Sequence, residues 1–278
     1  MFTLNCKGRL LVIESPVIMG IVNTTPDSFY SGSRVLESDL LFRVEKMLGA
    51  GATIIDLGGQ STRPGSMRVD ADEELRRVLP AVEAIHKNFP ELFISIDTFY
   101  AKVAKEAVMA GAHIVNDVSA GSLDPLLIPA VAELKVPYVL MHMKGDPQTM
   151  QDQPVYENVT LEVFDALNTK LSLLAREGIH DIIIDPGFGF GKTSKHNFSL
   201  LRNLSFFTQL KRPVLAGLSR KGTVYKTLGV KPEEALNGST VLHTIALLNG
   251  ASILRVHDVK EAAETIKLVK AYKAEEQP

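Results

Sequence analysis

Val17-Ile-Met-Gly-Ile-Val-Asn23 is an apolar run that ends on a polar residue, and the chain repeats that pattern at seven further places. Thr53–Ile55 ends on Asp56, Leu92–Ile96 on Asp97, His113–Val115 on Asn116 and Tyr138–Met141 on His142. Ile182–Ile184 ends on Asp185, Val214–Leu218 on Ser219 and Arg220, and Ile253–Leu254 on Arg255, with His257 just beyond. A parallel strand buried on both faces reads as a continuous apolar run, and α/β folds gather ligands at the carboxyl ends of their strands. The polar endings are therefore expected to face one shared site.

Helical patterns lie between these runs. Asp70 followed by Glu73 opens one that carries Leu75, Val78, Leu79 and Val82 at helical spacing, and Asp258 with Glu261 opens another. Ser38 opens a helix bearing Leu41, Val44 and Leu48 that stops at Gly49-Ala50-Gly51, and Pro232 suits the first turn of a long helix running to Leu248. Strand–helix units in unbroken succession, with no Pro/Gly/Ser-rich linker, predict an α/β fold: one (β/α)8 TIM barrel domain over residues 1–278. Phe2–Glu14 is left over, and its alternating Leu10, Val12 and Ile13 predict an N-terminal β-hairpin closing the barrel bottom, with Cys6-Lys7-Gly8-Arg9 as its turn.

The bulk composition agrees with a single globular domain: 278 residues, 45% hydrophobic and 22% charged. Thirty Lys and Arg against 32 Asp and Glu leave a formal charge of -2, so the strongly basic footprint of a nucleic-acid binder is missing and no nucleic-acid partner is expected. The one cysteine, Cys6, cannot form an intramolecular disulfide, which suits a reducing cytosol, and no apolar stretch is long enough for a membrane span. The expectation is a cytoplasmic protein without a membrane partner.

Two connections are longer than usual βα loops, 23–37 and 58–70; both are rich in Ser, Thr, Gly and Pro and carry an arginine, Arg34 and Arg63. They read as lids over a site, with a variable surface loop as the plain alternative. Pro186-Gly-Phe-Gly-Phe-Gly-Lys-Thr193 nearly spells a phosphate-binding P-loop, but Pro186 stands where that motif needs its first glycine. The glycines instead permit a tight turn after Asp185, leaving Phe188 or Phe190 to cover a flat ligand or to join the core.

Arg255 and His257 alternate on the last strand and project to the same face, and Ser219-Arg220-Lys221-Gly222 adds positive charge beside them. An anion, phosphate or diphosphate, fits there. Asp97, Asn116 and Asp185 form a second set: carboxylates accept, an amide both donates and accepts, and together with Lys221 they suit an amino-oxo heterocycle. Capping at strand ends explains any one of these residues but poorly explains all of them. Asp56 reads as structural, and His142 lacks a second His at metal-ligand spacing.

These residues sit within longer motifs: Met19-Gly-Ile-Val-Asn-Thr-Thr-Pro-Asp-Ser-Phe29, Asp56-Leu-Gly-Gly-Gln-Ser-Thr-Arg-Pro-Gly65, Asn116-Asp-Val, Met141-His-Met, Asp185-Pro-Gly-Phe-Gly-Phe-Gly191, Ser219-Arg-Lys221 and Arg255-Val-His-Asp258. In this order, over nearly the whole chain, they resemble the dihydropteroate synthase family of bacterial folate synthesis. The resemblance implies a TIM-barrel transferase joining 6-hydroxymethyl-7,8-dihydropterin diphosphate to 4-aminobenzoate, with Mg²⁺, through dissociative loss of pyrophosphate. It implies Asn23 as the Mg²⁺ contact, Thr62, Arg255 and His257 as diphosphate contacts, and Asp97, Asn116, Asp185 and Lys221 as pterin contacts. Met141 and Phe190 would line the pterin slot, and Arg63 and Pro64 would lie near the aminobenzoate. A homodimer and sulfonamide binding are also implied.

The chain departs from the family pattern at Gln60, where many relatives carry Glu, at Ser31-Gly-Ser33, and at Gly222, often a Ser that helps hold the aminobenzoate carboxylate. A pterin-binding methyltransferase barrel would share the Asp, Asn, Asp set but has no use for Asn23 or Arg255-x-His257. A non-catalytic paralogue would have lost lid or diphosphate residues, and a sugar-phosphate barrel would lack the heterocycle set.

Overall fold

The computed structural model describes residues 1–24, 34–60, 68–145 and 154–274. Strands β1 (Phe2–Cys6) and β2 (Arg9–Ile13) form the antiparallel hairpin, with Cys6 opposite Arg9. Its tight turn is made by Lys7 and Gly8, both at positive φ (58° and 88°), the geometry whose twist matches paired strands.

The barrel strands are β3 (Val17–Asn23), β4 (Ile54–Gly58), β5 (Phe93–Asp97), β6 (Ile114–Asp117), β7 (Tyr138–Met141), β8 (Ile182–Asp185), β9 (Leu215–Ala216) and β10 (Ile253–Val256). They pair in parallel in the order β8-β7-β6-β5-β4-β3-β10-β9, and a bridge from Ile184 to Val214 joins the two ends into a TIM barrel. The helices are α1 (Arg34–Gly49), α2 (Ala71–Asn88), α3 (Ala101–Met109), α4 (Leu127–Leu134), α5 (Val159–Arg176), α6 (Ser194–Arg202), α7 (Gly222–Leu228), α8 (Leu236–Leu248) and α9 (Val259–Ala274). Among the described residues, no helix is long and apolar enough to cross a membrane.

Side chains alternate across each strand, so every strand supplies two sets. One set, including Ile55, Ile94, Val115, Leu140 and Ile184, packs under the helices. The other points into the barrel, where Met19, Ile54, Phe93, Ile114, Val139 and Ile183 form a dry layer capped from below by Leu4, Cys6, Leu11 and Ile13 of the hairpin. Burial there pushes the Cys6 thiol up to about 12, so it stays protonated and inert.

Local start signals were sound at α2, where the Asp70 carboxylate accepts from the Glu73 amide at 2.8 Å. They were displaced elsewhere. Helix α1 begins at Arg34, ahead of Ser38, and the predicted long helix from Pro232 breaks into a 3-10 turn, Pro232–Glu234, before α8. Arg220 is bound at that break: its Nη1 donates to the carbonyls of Pro232 and Glu233 at 3.1 and 2.6 Å, while the Pro232 carbonyl also accepts the 3-10 bond from the Ala235 amide at 3.2 Å. Arg220 also occupies Asp258, through Nε and Nη2 at 2.8 Å each, so the Asp258 carboxylate clamps a loop instead of capping α9.

Candidate functional site

Continuing along the inward-facing series, the next positions above the dry layer are Asp56, Asn116, Met141, Asp185 and Arg255, and on β5 Asp97 follows one inward position further up, beyond Ser95. Strand register brings them together: Asp97 lies opposite Asn116 and Gly58, and Asp185 opposite Met141. The shared site expected from the polar strand endings therefore exists, at the carboxyl-terminal mouth of the barrel.

Arg255 is the hub of that mouth. Its Nε donates to Asp56 Oδ2 at 2.6 Å and its Nη2 to Asp97 Oδ2 at 2.7 Å, and the Asn116 amide donates to the same Asp56 oxygen at 3.0 Å. Burial raises the Asp97 carboxyl well above the usual carboxylate range against the pull of Arg255, with the nearby Asp56 charge adding to the rise. For Arg255 burial works against the charged form, but Asp56 and Asp97 outweigh it and keep the guanidinium protonated. Arg255 is thus no bare cation awaiting a diphosphate: much of its donor capacity is spent inside the protein, holding the carboxylates.

Asp185 and Lys221 face this hub from the other side. Asp185 Oδ1 accepts from the Gly187 amide at 2.7 Å; burial raises its carboxyl while Lys221 lowers it. Lys221, the residue before α7, donates to the Phe188 carbonyl at 2.6 Å and holds its ammonium 4.7 Å from the centre of the Phe190 ring. Burial brings the Lys221 ammonium down to about 8 even though Asp185 favours its charge. Both border an apolar slot of Met141 and Phe190, packed with Phe99 and Val118: Asp185 lies in register with Met141 and Lys221 over Phe190. The two phenylalanines of the glycine-rich turn are distinguished here: Phe188 is fully buried in the helix-side core, whereas Phe190 joins the slot.

Asn23 ends β3 beside Gly58, and a Cβ on Gly58 would sit 3.8 Å from both Asn23 Oδ1 and Asp97 Oδ2, in ordinary contact. His257 projects at the mouth with its Nδ1 3.0 Å from Ser219 Oγ, while its backbone amide donates to the same hydroxyl at 3.2 Å. Of the positive charge expected from Ser219-Arg220-Lys221, only Lys221 enters the site; Arg220, held at φ 52°, turns outward to Asp258. Thr62, Arg63 and Pro64, together with most of both long connections, lie outside the described residues.

Sequence reading missed two buried ions. Lys192, 3% exposed, donates to the carbonyls of Gly187, Phe190 and His142 at 3.0, 3.0 and 3.2 Å and meets His142 Nδ1 at 3.0 Å. Burial draws this lysine down to about 7 and His142 down to about 3, so His142 is a neutral partner of Lys192. Nothing in the local pattern announces Lys192, because its acceptors are main-chain carbonyls. Glu74, on the first turn of α2, is fully buried and receives the Gln60 amide; burial raises it to about 7. Here a signal did exist: Glu74 shares the helical stripe of Val78, Val82 and Ile85, all of them buried.

A family model described as pterin binding enzyme matches residues 19–257. The chain is similar to dihydropteroate synthase of Escherichia coli, 44% identical over 268 residues that cover 95% of this chain and 94% of that protein. It is also similar to two solved structures of Xanthomonas albilineans dihydropteroate synthase. The one with 4-aminobenzoic acid is 41% identical with a TM-score of 0.90, covering 98% of both chains. The one in complex with 7,8-dihydropteroate is 38% identical with a TM-score of 0.87, covering 98% of this chain and 99% of that one.

Proposed function

Because the chain belongs to the pterin-binding enzymes and, within them, to the dihydropteroate synthases, we propose that the arc of Asp97, Asn116, Asp185 and Lys221 holds the pterin ring. The activity is that of a transferase of folate synthesis: 6-hydroxymethyl-7,8-dihydropterin diphosphate and 4-aminobenzoate give 7,8-dihydropteroate and pyrophosphate. The observation that carries the residue assignment is the placing of Asp185 in register with Met141 and of the Lys221 ammonium over Phe190, so that an acceptor and a donor border one apolar slot. A 2-amino-4-oxo ring lying in that slot offers N–H groups to the Asp185 carboxylate and an oxo group to the Lys221 ammonium.

The reaction breaks a C–O bond whose electron pair leaves with the diphosphate, so negative charge grows on the leaving oxygens and positive charge on the pterin methylene. Asp97 stabilises that cation electrostatically, while His257, with what donor capacity Arg255 retains, meets the leaving group. Thr62 and Arg63 join them in the roles the family implies, and Pro64 borders the aminobenzoate. The amine nitrogen then forms the new C–N bond and gives up its proton; no enzyme nucleophile takes part.

Mg²⁺ fits the residues present. Asn23 offers a neutral, hard amide oxygen across Gly58 from the carboxylate of Asp97, and this metal is commonly held by very few protein oxygens plus substrate phosphates. When bound it supplies charge neutralisation at the diphosphate, and Asn23 is the residue that holds it. A homodimer is supported by the exposed Leu228, Val241, Ile245 and Leu248 of α7 and α8, and a cytoplasmic location by the free, buried Cys6. Sedimentation of the purified chain tests the dimer.

Pyrophosphate release measured with pterin diphosphate, with and without 4-aminobenzoate, tests the whole reading; aminobenzoate-dependent release is expected. A stable covalent adduct formed with pterin diphosphate alone would overturn the dissociative route. His257→Ala is expected to slow release while leaving binding of a pterin without diphosphate unchanged.

A further inference from the structure

We infer that Asp56 sets the hydrogen-bond polarity of the pterin pocket by fixing the side-chain amide of Asn116, which makes it a specificity-determining positioning residue. The inference rests on the pterin reading above and adds a residue that touches no substrate in it.

Asp56 is fully buried and points into the barrel from β4. Its Oδ2 accepts from Arg255 Nε at 2.6 Å and from Asn116 Nδ2 at 3.0 Å. A carboxylate oxygen already accepting from a guanidinium turns lone pairs, not a proton, toward its other neighbour. Asn116 must therefore present its NH₂ end to Asp56, and the reversed amide would set two acceptors against each other. An asparagine in an open pocket flips at little cost; this one, only 5% exposed, has a single favoured orientation.

That orientation has a chemical consequence at the ligand edge. With one N–H of Nδ2 committed to Asp56, Asn116 offers Oδ1 as an acceptor beside the second N–H as a donor. This acceptor–donor pair complements an exocyclic amino group next to an unprotonated ring nitrogen. It opposes an oxo group next to a ring N–H, where each contact would meet its own kind. Asp185, acceptor-only, suits the neighbouring ring N–H, which both rings carry, so the choice between them falls on Asn116. Asp56 thereby selects 2-amino over 2-oxo heterocycles through a contact it does not itself make.

The test measures binding of 6-hydroxymethylpterin and of its 2-oxo counterpart, 6-hydroxymethyllumazine, to the full chain by calorimetry. The unaltered protein is expected to prefer the 2-amino ring. Asp56→Ala frees the Asn116 amide and is expected to reduce that preference about tenfold or more, the range set by leaving or removing one mismatched buried group. Asp56→Asn removes the same charge but keeps an amide oxygen where Arg255 and Asn116 donate, so it is expected to restore most of the preference. A fold defect would lower both affinities together and leave their ratio alone. Should Asp56→Ala fold poorly, the Asn116 side-chain amide protons of the unaltered, ligand-free protein are read by NMR; slow solvent exchange with one proton shifted by a carboxylate is expected. An unchanged ratio in Asp56→Ala, or a freely exchanging Asn116 amide, overturns the inference while leaving pterin binding intact. Failure of the unaltered protein to bind the 2-amino ring at all would instead overturn the pterin reading.

Discussion

Two layers of inward-facing side chains stand one above the other in the same barrel, on the same strands. Ile54 and Asp56, Ile114 and Asn116, Ile183 and Asp185, and Ile253 and Arg255 are successive inward positions on their strands. The lower layer is dry and sealed by the hairpin. The upper one concentrates three carboxylates, an amide and a guanidinium in similar burial. The strands are shared, so the difference teaches that the fold sets the height at which a site can lie, the carboxyl ends, and the side chains there set its chemistry. Each layer answers to a different energy: loss of apolar contact below, loss of charge pairing above.

The sharpest way to break the comparison is to exchange the layers. Ile183→Asp puts an unpaired carboxylate among Met19, Ile54 and Ile114, and no cooperative thermal transition is expected. A folded variant with a melting temperature near that of the parent would show that the layers are interchangeable. Next comes Arg255→Met, which strands Asp56 and Asp97 against each other. It is expected to cost about 3–5 kcal/mol in urea unfolding and to abolish turnover, the loss typical of removing one partner of a buried charge set. A near-neutral result would mean that the carboxylates are already protonated without it.

Asp185→Asn probes the same layer where no guanidinium donates to it. Stability is expected to hold or rise, because the buried charge carries a desolvation cost, while pterin affinity falls about tenfold to a hundredfold. Parallel loss of both would make Asp185 a structural residue.

The smallest effect lies on the first turn of α2. Glu74, raised to about 7 by burial, binds its proton more tightly in the folded than in the unfolded chain. Between its ordinary value of 4.5 and about 7 the native state then holds more protons, so this contribution to stability is fully present below 4.5 and is lost as pH rises through 7. Glu74→Gln is expected to flatten that part of the stability profile; an unchanged slope would show that another group produces it.

Much of this was legible in advance where the cause is local. The strand ends, the hairpin turn at Lys7-Gly8 and the Asp70 cap were readable because each depends on a few adjacent residues. Asp97, Asn116, Asp185 and Lys221 were readable as a set because alternation fixes which face a strand residue takes. The split at Pro232–Glu234 was not, since the carbonyls there meet Arg220, which reaches across from another loop. Lys192 escaped for the same reason: its acceptors are carbonyls on two separate connections.

The sequence by itself determined the strand rhythm, the barrel and the identity of the groups gathered at its mouth, because burial pattern and side-chain chemistry are written residue by residue. Tertiary structure alone decided how those groups pair. Arg255 and Asp56 stand 199 residues apart, and only the closing of the barrel makes one the counter-ion of the other. In a buried site, where charge cannot be left to water, that pairing decides which residues face the ligand and which hold them there.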